Sequence, residues 1–111
     1  MNLPHAQLAV VEREKLVEYL LNPAHPDNGG KARFFFAMGF TREGWGILAN
    51  ALRRHAENTP VTRCIESVHG CKYVLEGPID SPQGKRPPIR AVWIIDQGLQ
   101  APRLVTAYPC Q

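Results

Sequence analysis

The sequence predicts an α+β domain in which two to three N-terminal helices precede a four-stranded antiparallel sheet. Apolar residues recur at helical spacing as far as Glu57, whereas beyond Pro60 the apolar positions alternate with a period of two. The strand candidates are joined by short turns, and consecutive strands joined in this way pair antiparallel. Helices followed by a meander of strands are typical of an α+β fold.

Each predicted helix has an apolar stripe and a stop signal. In the first, Leu16 and Leu20 are four residues apart and Asn22-Pro23 ends the pattern, because a residue before proline is disfavoured in a helix. Gly39 is placed to end the second, and Thr41 to cap the third. The helices are predicted over Glu12 to Leu21, Lys31 to Met38, and from Thr41 to about Glu57.

Four runs rich in β-branched and aromatic residues follow, separated by a tight turn at Gly70, a loop of proline and glycine over residues 80–88, and a loop over residues 97–101. Strict alternation along the last run predicts that Leu104, Thr106 and Tyr108 share one face. The strands are predicted over Val61 to His69, Lys72 to Ile79, Ile89 to Ile95, and Arg103 to Tyr108.

The bulk properties predict one soluble domain spanning residues 1–111. The net charge of +3 slightly favours polyanionic partners. Three cysteines, Cys64, Cys71 and Cys110, without a CxxC pair argue against a disulfide framework and a structural zinc site, so we expect reduced thiols and no metal or other cofactor. We expect a cytoplasmic protein without membrane contact, since no signal peptide and no apolar run of about 18–20 residues is present.

Several motifs together resemble a bacterial family of unassigned function. Its members occur as C-terminal domains of polymorphic toxins, among phage-related proteins, and as small free-standing proteins. The motifs are Asn22-Pro23-Ala24-His25-Pro26, Gly30-Lys31-Ala32-Arg33-Phe34-Phe35, Gly70-Cys71-Lys72-Tyr73, Val92-Trp93-Ile94-Ile95, and the terminal run from Pro102 to Pro109.

The arrangement of this family is similar to that of the barnase/EndoU/colicin/RelE-like metal-independent ribonucleases. In EndoU-like members a Ser/Thr-x-Tyr pair on a late strand contributes to the site, and Thr106-Ala107-Tyr108 fits that pattern. The resemblance implies a toxin-like endoribonuclease that cleaves RNA by transesterification through the ribose 2′-OH. It also implies a cognate neutralising protein, of the antitoxin or immunity type.

The predicted site combines fixed cations with groups that transfer protons, which is what metal-free RNA cleavage requires. Lys31 follows two glycines at a helix start, and Arg90 precedes the most apolar strand. The predicted catalytic residues are Lys31, Arg90, Thr106, Tyr108 and His25, and the predicted substrate-binding residues are Arg33, Lys72, Tyr73 and Arg103.

Each of these residues also has a purely structural interpretation. Arg90 could pair with Glu76 or Asp96, and Tyr108 could be a half-buried strand aromatic. Among the other histidines, His69 is interpreted as a turn residue, and His5 and His55 as surface residues. The alternative function is a non-catalytic toxin- or phage-associated module that binds a protein partner or nucleic acid.

Overall fold

Helical segments make up the first half of the chain in the computed structural model, which describes residues 1–110. A 3₁₀ turn covers Ala6–Leu8. Helix α1 (Arg13–Lys15) continues directly into a π-helical turn (Leu16–Leu20), in which the N–H of Leu21 bonds to the carbonyl oxygen of Leu16. Helices α2 and α3 cover Lys31–Ala37 and Trp45–Asn58.

The first and third helices differ from prediction, the first in its helical geometry and the third in where it begins. The first helix, expected to be regular from Glu12 to Leu21, contains only three α-helical residues before the π-helical turn. Helix α3 begins at Trp45 rather than directly after Thr41. The hydroxyl of Thr41 accepts the N–H of Gly44 at 2.9 Å and so stabilises the turn before the helix instead of capping it.

The second half of the chain forms one antiparallel sheet, with strands in the order β1-β2-β3-β4. The predicted fold class, helices followed by four antiparallel strands, is therefore confirmed. His69 lies in the tight turn between the first two strands, as expected. The strands cover Val61–Ser67 (β1), Gly70–Pro78 (β2), Pro88–Asp96 (β3) and Arg103–Pro109 (β4).

The core lies between the helices and one face of this sheet. Trp93 is its largest fully buried side chain, and Phe35 and Leu52 pack from the helical side. The N-terminal segment runs beside β4, where the N–H of Val10 bonds to Pro102 at 2.8 Å and the N–H of Leu104 bonds to Val10 at 3.1 Å. The opposite face of the sheet, here called the open face, is exposed to solvent.

A β-bulge in β4 changes the predicted facing of its residues. Thr106 pairs with Val92, but Leu104, not Val105, pairs with the next residue, Trp93. The extra residue reverses the alternation. Leu104 therefore lies in the core with 2% of its surface exposed, and the prediction that it shares a face with Thr106 and Tyr108 is wrong. Thr106 and Tyr108 lie on the open face.

The prediction that His55 is a surface residue is also wrong, because α3 buries it to 3% exposure. Its Nε2–H donates to the carbonyl oxygen of Gly77 at 3.1 Å, while Nδ1 has no hydrogen-bond partner in the described part of the chain. Burial lowers the pKa of His55, an effect that the bond to Gly77 offsets in part. The folded protein therefore disfavours the imidazolium.

This burial makes stability depend on pH. Between the unfolded-state pKa of about 6.5 and the lower folded-state pKa, the unfolded chain binds a proton that the folded chain does not. The free energy of unfolding should therefore fall as the pH drops below about 6.5, by about 1.4 kcal/mol for each unit of pKa difference. Denaturant titrations between pH 5 and pH 7.5 would measure this free energy as a function of pH.

Two histidine variants test this expectation. His55→Gln, which keeps a neutral hydrogen-bond donor, should flatten the pH dependence, whereas His69→Gln, at an exposed turn position, should leave it unchanged. If the free energy of unfolding of His55→Gln depended on pH as steeply as that of the wild-type protein, the pH dependence would not come from His55.

None of the helices in the described part of the chain has both the length and the apolar character needed to cross a membrane.

Candidate active site

Five side chains form a row in which cations alternate with phenols. Arg90 and Tyr108 lie on the open face, and the other three members come from the helical segments that contact β4: Lys15, Tyr19 and Lys31. Lys15 Nζ lies 5.5 Å from the ring centre of Tyr19, and Lys31 Nζ lies 4.9 Å from the same centre. Lys31 Nζ is also 5.6 Å from the ring centre of Tyr108, which in turn is 5.6 Å from Cζ of Arg90. Cations at these distances are attracted to the ring faces. We call these five residues the cation–phenol row.

Backbone geometry places Lys31 in the middle of this row. Gly29 and Gly30 have φ values of 63° and 88°, which glycine adopts without strain, so the chain turns sharply before α2. The buried side chain of Asn28 joins the two helical segments. Its amide donates to the carbonyl oxygen of Tyr19 at 2.7 Å, and its Oδ1 accepts the N–H of Ala32 at 3.0 Å.

The Tyr19 phenol is the best connected group of the row. Lys31 Nζ donates a hydrogen bond to its oxygen, and Thr106 Oγ1 lies 3.1 Å from the same oxygen. Burial alone would raise the pKa of Tyr19, but these two hydrogen bonds and the positive charges of Lys31 and Lys15 outweigh burial and lower it. Tyr19 is therefore easier to ionise than an ordinary tyrosine.

At the other end of the row, three cross-strand neighbours share a register: Glu76, Arg90 and Tyr108. Arg90 Nη2 donates to Glu76 Oε2 at 3.0 Å, and Arg90 Nη1 contacts the Tyr108 oxygen at 3.5 Å. The hydrogen bond from Arg90 and one from Thr62 keep the pKa of Glu76 low. The contacts with Tyr108 and Glu76 raise the pKa of Arg90, so the guanidinium is permanently charged.

His25 lies beside the row rather than in it. Its ring meets that of Tyr19 edge-on, with 5.0 Å between the centres. Its Nδ1 accepts the N–H of Asp27 at 3.0 Å, so the neutral ring carries its hydrogen on Nε2. In this state Nε2 can donate a hydrogen bond.

Concave surface borders the row on both sides and could accommodate an extended ligand. An open groove of about 630 Å³ borders Tyr19, His25 and Thr106. A cavity of about 310 Å³ lies between Lys31 and Tyr108, and another of about 310 Å³ lies between Arg90 and Tyr108.

Of the five predicted catalytic residues, Lys31, Arg90 and Tyr108 belong to the row, whereas Thr106 and His25 contact it through Tyr19. Of the two structural partners considered for Arg90, the structure shows Glu76, whereas Asp96 pairs with Arg103. Arg90 also contacts Tyr108.

Of the four predicted substrate-binding residues, Arg33, Lys72 and Tyr73 lie apart from the row, whereas Arg103 lines the groove beside Tyr19. Arg33 is exposed on α2, and Lys72 is exposed on the open face nearer the β1–β2 turn. Tyr73 lies on the helix-facing side of the sheet, where burial raises its pKa. Arg103 makes a two-pronged pair with Asp96, at 2.8 and 3.1 Å.

Tyr19, Lys15 and Glu76 are site residues that the sequence analysis missed. Lys15 and Tyr19 are four residues apart, which places them on the same side of a helix, and that spacing was the available signal. Glu76 was considered only as a structural partner of Arg90. Among the described residues, no group of three or more His, Cys, Asp or Glu side chains is placed to hold a metal ion.

Comparisons with known proteins give a structural neighbour and a family. The chain is similar to a chain of a contact-dependent growth inhibition toxin–immunity protein complex from Klebsiella pneumoniae 342, with a TM-score of 0.73 and 15% sequence identity. The similarity covers 91% of this chain and 99% of that one, and it shows a shared fold. No curated protein sequence matches. The family model described as "Domain of unknown function (DUF6883)" matches residues 2–111, and the chain therefore belongs to the DUF6883 family.

Proposed function

We propose that this protein is a toxin-type endoribonuclease that acts in the cytoplasm without a metal ion and has a cognate neutralising protein. The convergence of Lys31, Arg90, Thr106 and Tyr108 carries the proposal. These residues come from α2, β3 and β4, all four are partly exposed, and successive contacts link them through Tyr19 and Tyr108, which supports the proposal. Two fixed cations beside phenol and hydroxyl groups suit a phosphodiester that must be bound and have its protons moved.

RNA cleavage by transesterification requires removal of the 2′-OH proton, stabilisation of a pentavalent phosphorane and protonation of the departing 5′-oxygen. Arg90 suits the second task. Glu76 holds one side of its guanidinium, so Nη1 is directed towards Tyr108 and the neighbouring cavity. Lys31 adds a second positive charge, with Nζ 5.6 Å from the ring centre of Tyr108 and beside the cavity that these two residues line.

The proposed partner follows from the structural neighbour. That chain comes from a complex of a growth inhibition toxin with its immunity protein. A protein that covers the cation–phenol row would block access of RNA to both cavities, which is the simplest way to neutralise such a site.

A second candidate is binding of nucleic acid or a protein without cleavage. The observation that favours it is the pairing of Arg90 with Glu76, since this carboxylate offsets the charge of one of the two cations. In that case the row would hold a polyanion by its charges and aromatic rings alone.

The test is incubation of the purified protein with total RNA in EDTA. We expect discrete cleavage with 2′,3′-cyclic phosphate ends by the wild-type protein and by Lys85→Ala, a charge deletion at an exposed loop position. Lys31→Ala and Tyr108→Phe should cleave far more slowly. Intact RNA with the wild-type protein would overturn the ribonuclease proposal, and retained RNA binding in a filter assay would then support the second candidate.

A further inference from the structure

We propose that Tyr19 is the residue that accepts the 2′-OH proton in this site, with Lys31 stabilising its phenolate. This inference rests on the proposed ribonuclease function and assigns its general base. Tyr19 lies in the π-helical turn, and its oxygen faces both Lys31 and Thr106 at the border between the large groove and the open face.

The other groups that could accept the proton are engaged elsewhere. The Nδ1 atom of His25 already accepts the N–H of Asp27, and the two oxygens of Glu76 are bonded to Arg90 and Thr62. Among residues 1–110, the hydrogen-bonding contact to the Tyr108 oxygen is the long one of 3.5 Å from Arg90. Tyr19 instead receives a hydrogen bond directly from an ammonium group, which stabilises a phenolate more strongly than the neutral phenol.

The charges around Tyr19 come from several segments. Lys15 on α1 and Lys31 on α2 are the cations that face its ring, and their charges help to lower its pKa. The 630 Å³ groove beside it is also lined by four carboxylates and by Arg103, which is paired with Asp96. The carboxylates lie on α1 and in the neighbouring segments: Glu12, Glu14, Glu18 and Asp27.

In the proposed reaction, the 2′-oxygen of the RNA attacks the adjacent phosphorus and displaces the 5′-oxygen. The Tyr19 phenolate takes the proton of the 2′-OH while the 2′-oxygen forms a bond to phosphorus. The bond from phosphorus to the 5′-oxygen breaks, and this oxygen takes the proton of the Tyr108 phenol. The products are a 2′,3′-cyclic phosphate and a 5′-OH. Arg90 and Lys31 stabilise the Tyr108 phenolate, and proton exchange with water then restores both tyrosines.

The first experiment measures ionisation without any substrate. Near-ultraviolet absorbance of phenolate, followed against pH, should show one tyrosine of the wild-type protein that ionises below the ordinary value of about 10. Tyr19→Phe should remove this step and Lys31→Ala should move it to higher pH, while Tyr108→Phe should keep it. Persistence of the same step in Tyr19→Phe would overturn the inference.

The second experiment measures the pH dependence of single-turnover cleavage of an RNA oligonucleotide in EDTA. The wild-type rate should rise with pH through the ionisation seen by absorbance. Tyr19→Phe should lose about 10²–10⁴-fold in rate together with that inflection. Thr106→Val, which removes only the hydroxyl partner of Tyr19, should give a smaller loss and move the inflection to higher pH.

The outcomes separate the two proposals. If the wild-type protein cleaves and Tyr19→Phe cleaves at the same rate with the same pH profile, Tyr19 is not the base and the ribonuclease function stands. If Tyr19→Phe does not fold, an unchanged pH profile in Thr106→Val and Lys31→Ala overturns the inference in its place. Absence of cleavage by the wild-type protein at every pH overturns both proposals.

Discussion

Replacing Arg90 with alanine should reduce the rate of RNA cleavage by about 10²–10³-fold, the usual effect of removing one group that stabilises an oxyanion in a transition state. The reason is the position of the guanidinium, which Glu76 holds at 3.0 Å and which contacts Tyr108 at 3.5 Å. Replacing Arg90 removes the positive charge that β3 places directly opposite Tyr108 of β4. Single-turnover cleavage of an RNA oligonucleotide in EDTA would measure the effect.

Two further arginine variants make this result specific. Arg90→Lys keeps the charge but not the planar fork that holds Glu76 and Tyr108 together, so we expect only partial activity. Arg86→Ala removes an arginine from another exposed ion pair, with Asp80 at 2.8 Å, and should cleave like the wild-type protein. Equal rates for Arg90→Ala and Arg86→Ala would contradict the role of Arg90.

Replacing Trp93 with alanine should destabilise the protein by about 3–5 kcal/mol, which is the range for deleting a buried aromatic side chain. Trp93 is fully buried at the centre of β3, between Tyr73 on β2 and Leu104 on β4. Small domains are stable by only about 5–15 kcal/mol, so this loss is a large part of the total. Thermal unfolding followed by circular dichroism should show a drop in Tm of more than about 10 °C.

The variant Trp93→Phe tests whether Trp93 stabilises the protein through its packing volume or through a hydrogen bond. The Nε1 atom of Trp93 has no hydrogen-bond partner among the residues that the structure describes. Trp93→Phe therefore loses packing volume but none of the hydrogen bonds seen, and it should destabilise the protein clearly less than Trp93→Ala. Trp45→Ala, at a partly exposed position, should also cost less. If Trp45→Ala lowered the free energy of unfolding as much as Trp93→Ala, burial would not explain the size of the destabilisation.

The sequence was sufficient to predict the order and type of the elements, because each depends on local periodicity and on proline and glycine signals. The helical spacing ends at Glu57, close to the end of α3 at Asn58, and the alternating spacing begins after Pro60, where β1 begins at Val61. The four predicted strand runs correspond to β1–β4. The β-bulge in β4 was not predictable in this way. An extra residue in a strand is set by the pairing with β3, so the burial of Leu104 emerges only in the folded sheet.

The candidate site was partly predictable for a similar reason. Lys31, Thr106 and Tyr108 belong to short motifs that a resemblance can mark. Tyr19 belongs to no such motif, and its direction depends on the π-helical turn, whose wider geometry the apolar pattern of the first helix does not encode. The burial of His55 likewise depends on Gly77, which is 22 residues away.

The bond between Tyr19 and Thr106 joins residues 87 positions apart in the chain. Such a contact forms only when the chain has folded back on itself over almost the whole domain, because contacts between residues far apart in sequence require the closure of a long loop. A fragment that ends before β4 would keep the helices and the first three strands but would lack both Thr106 and Tyr108. The proposed site therefore depends on the complete sheet rather than on any one segment.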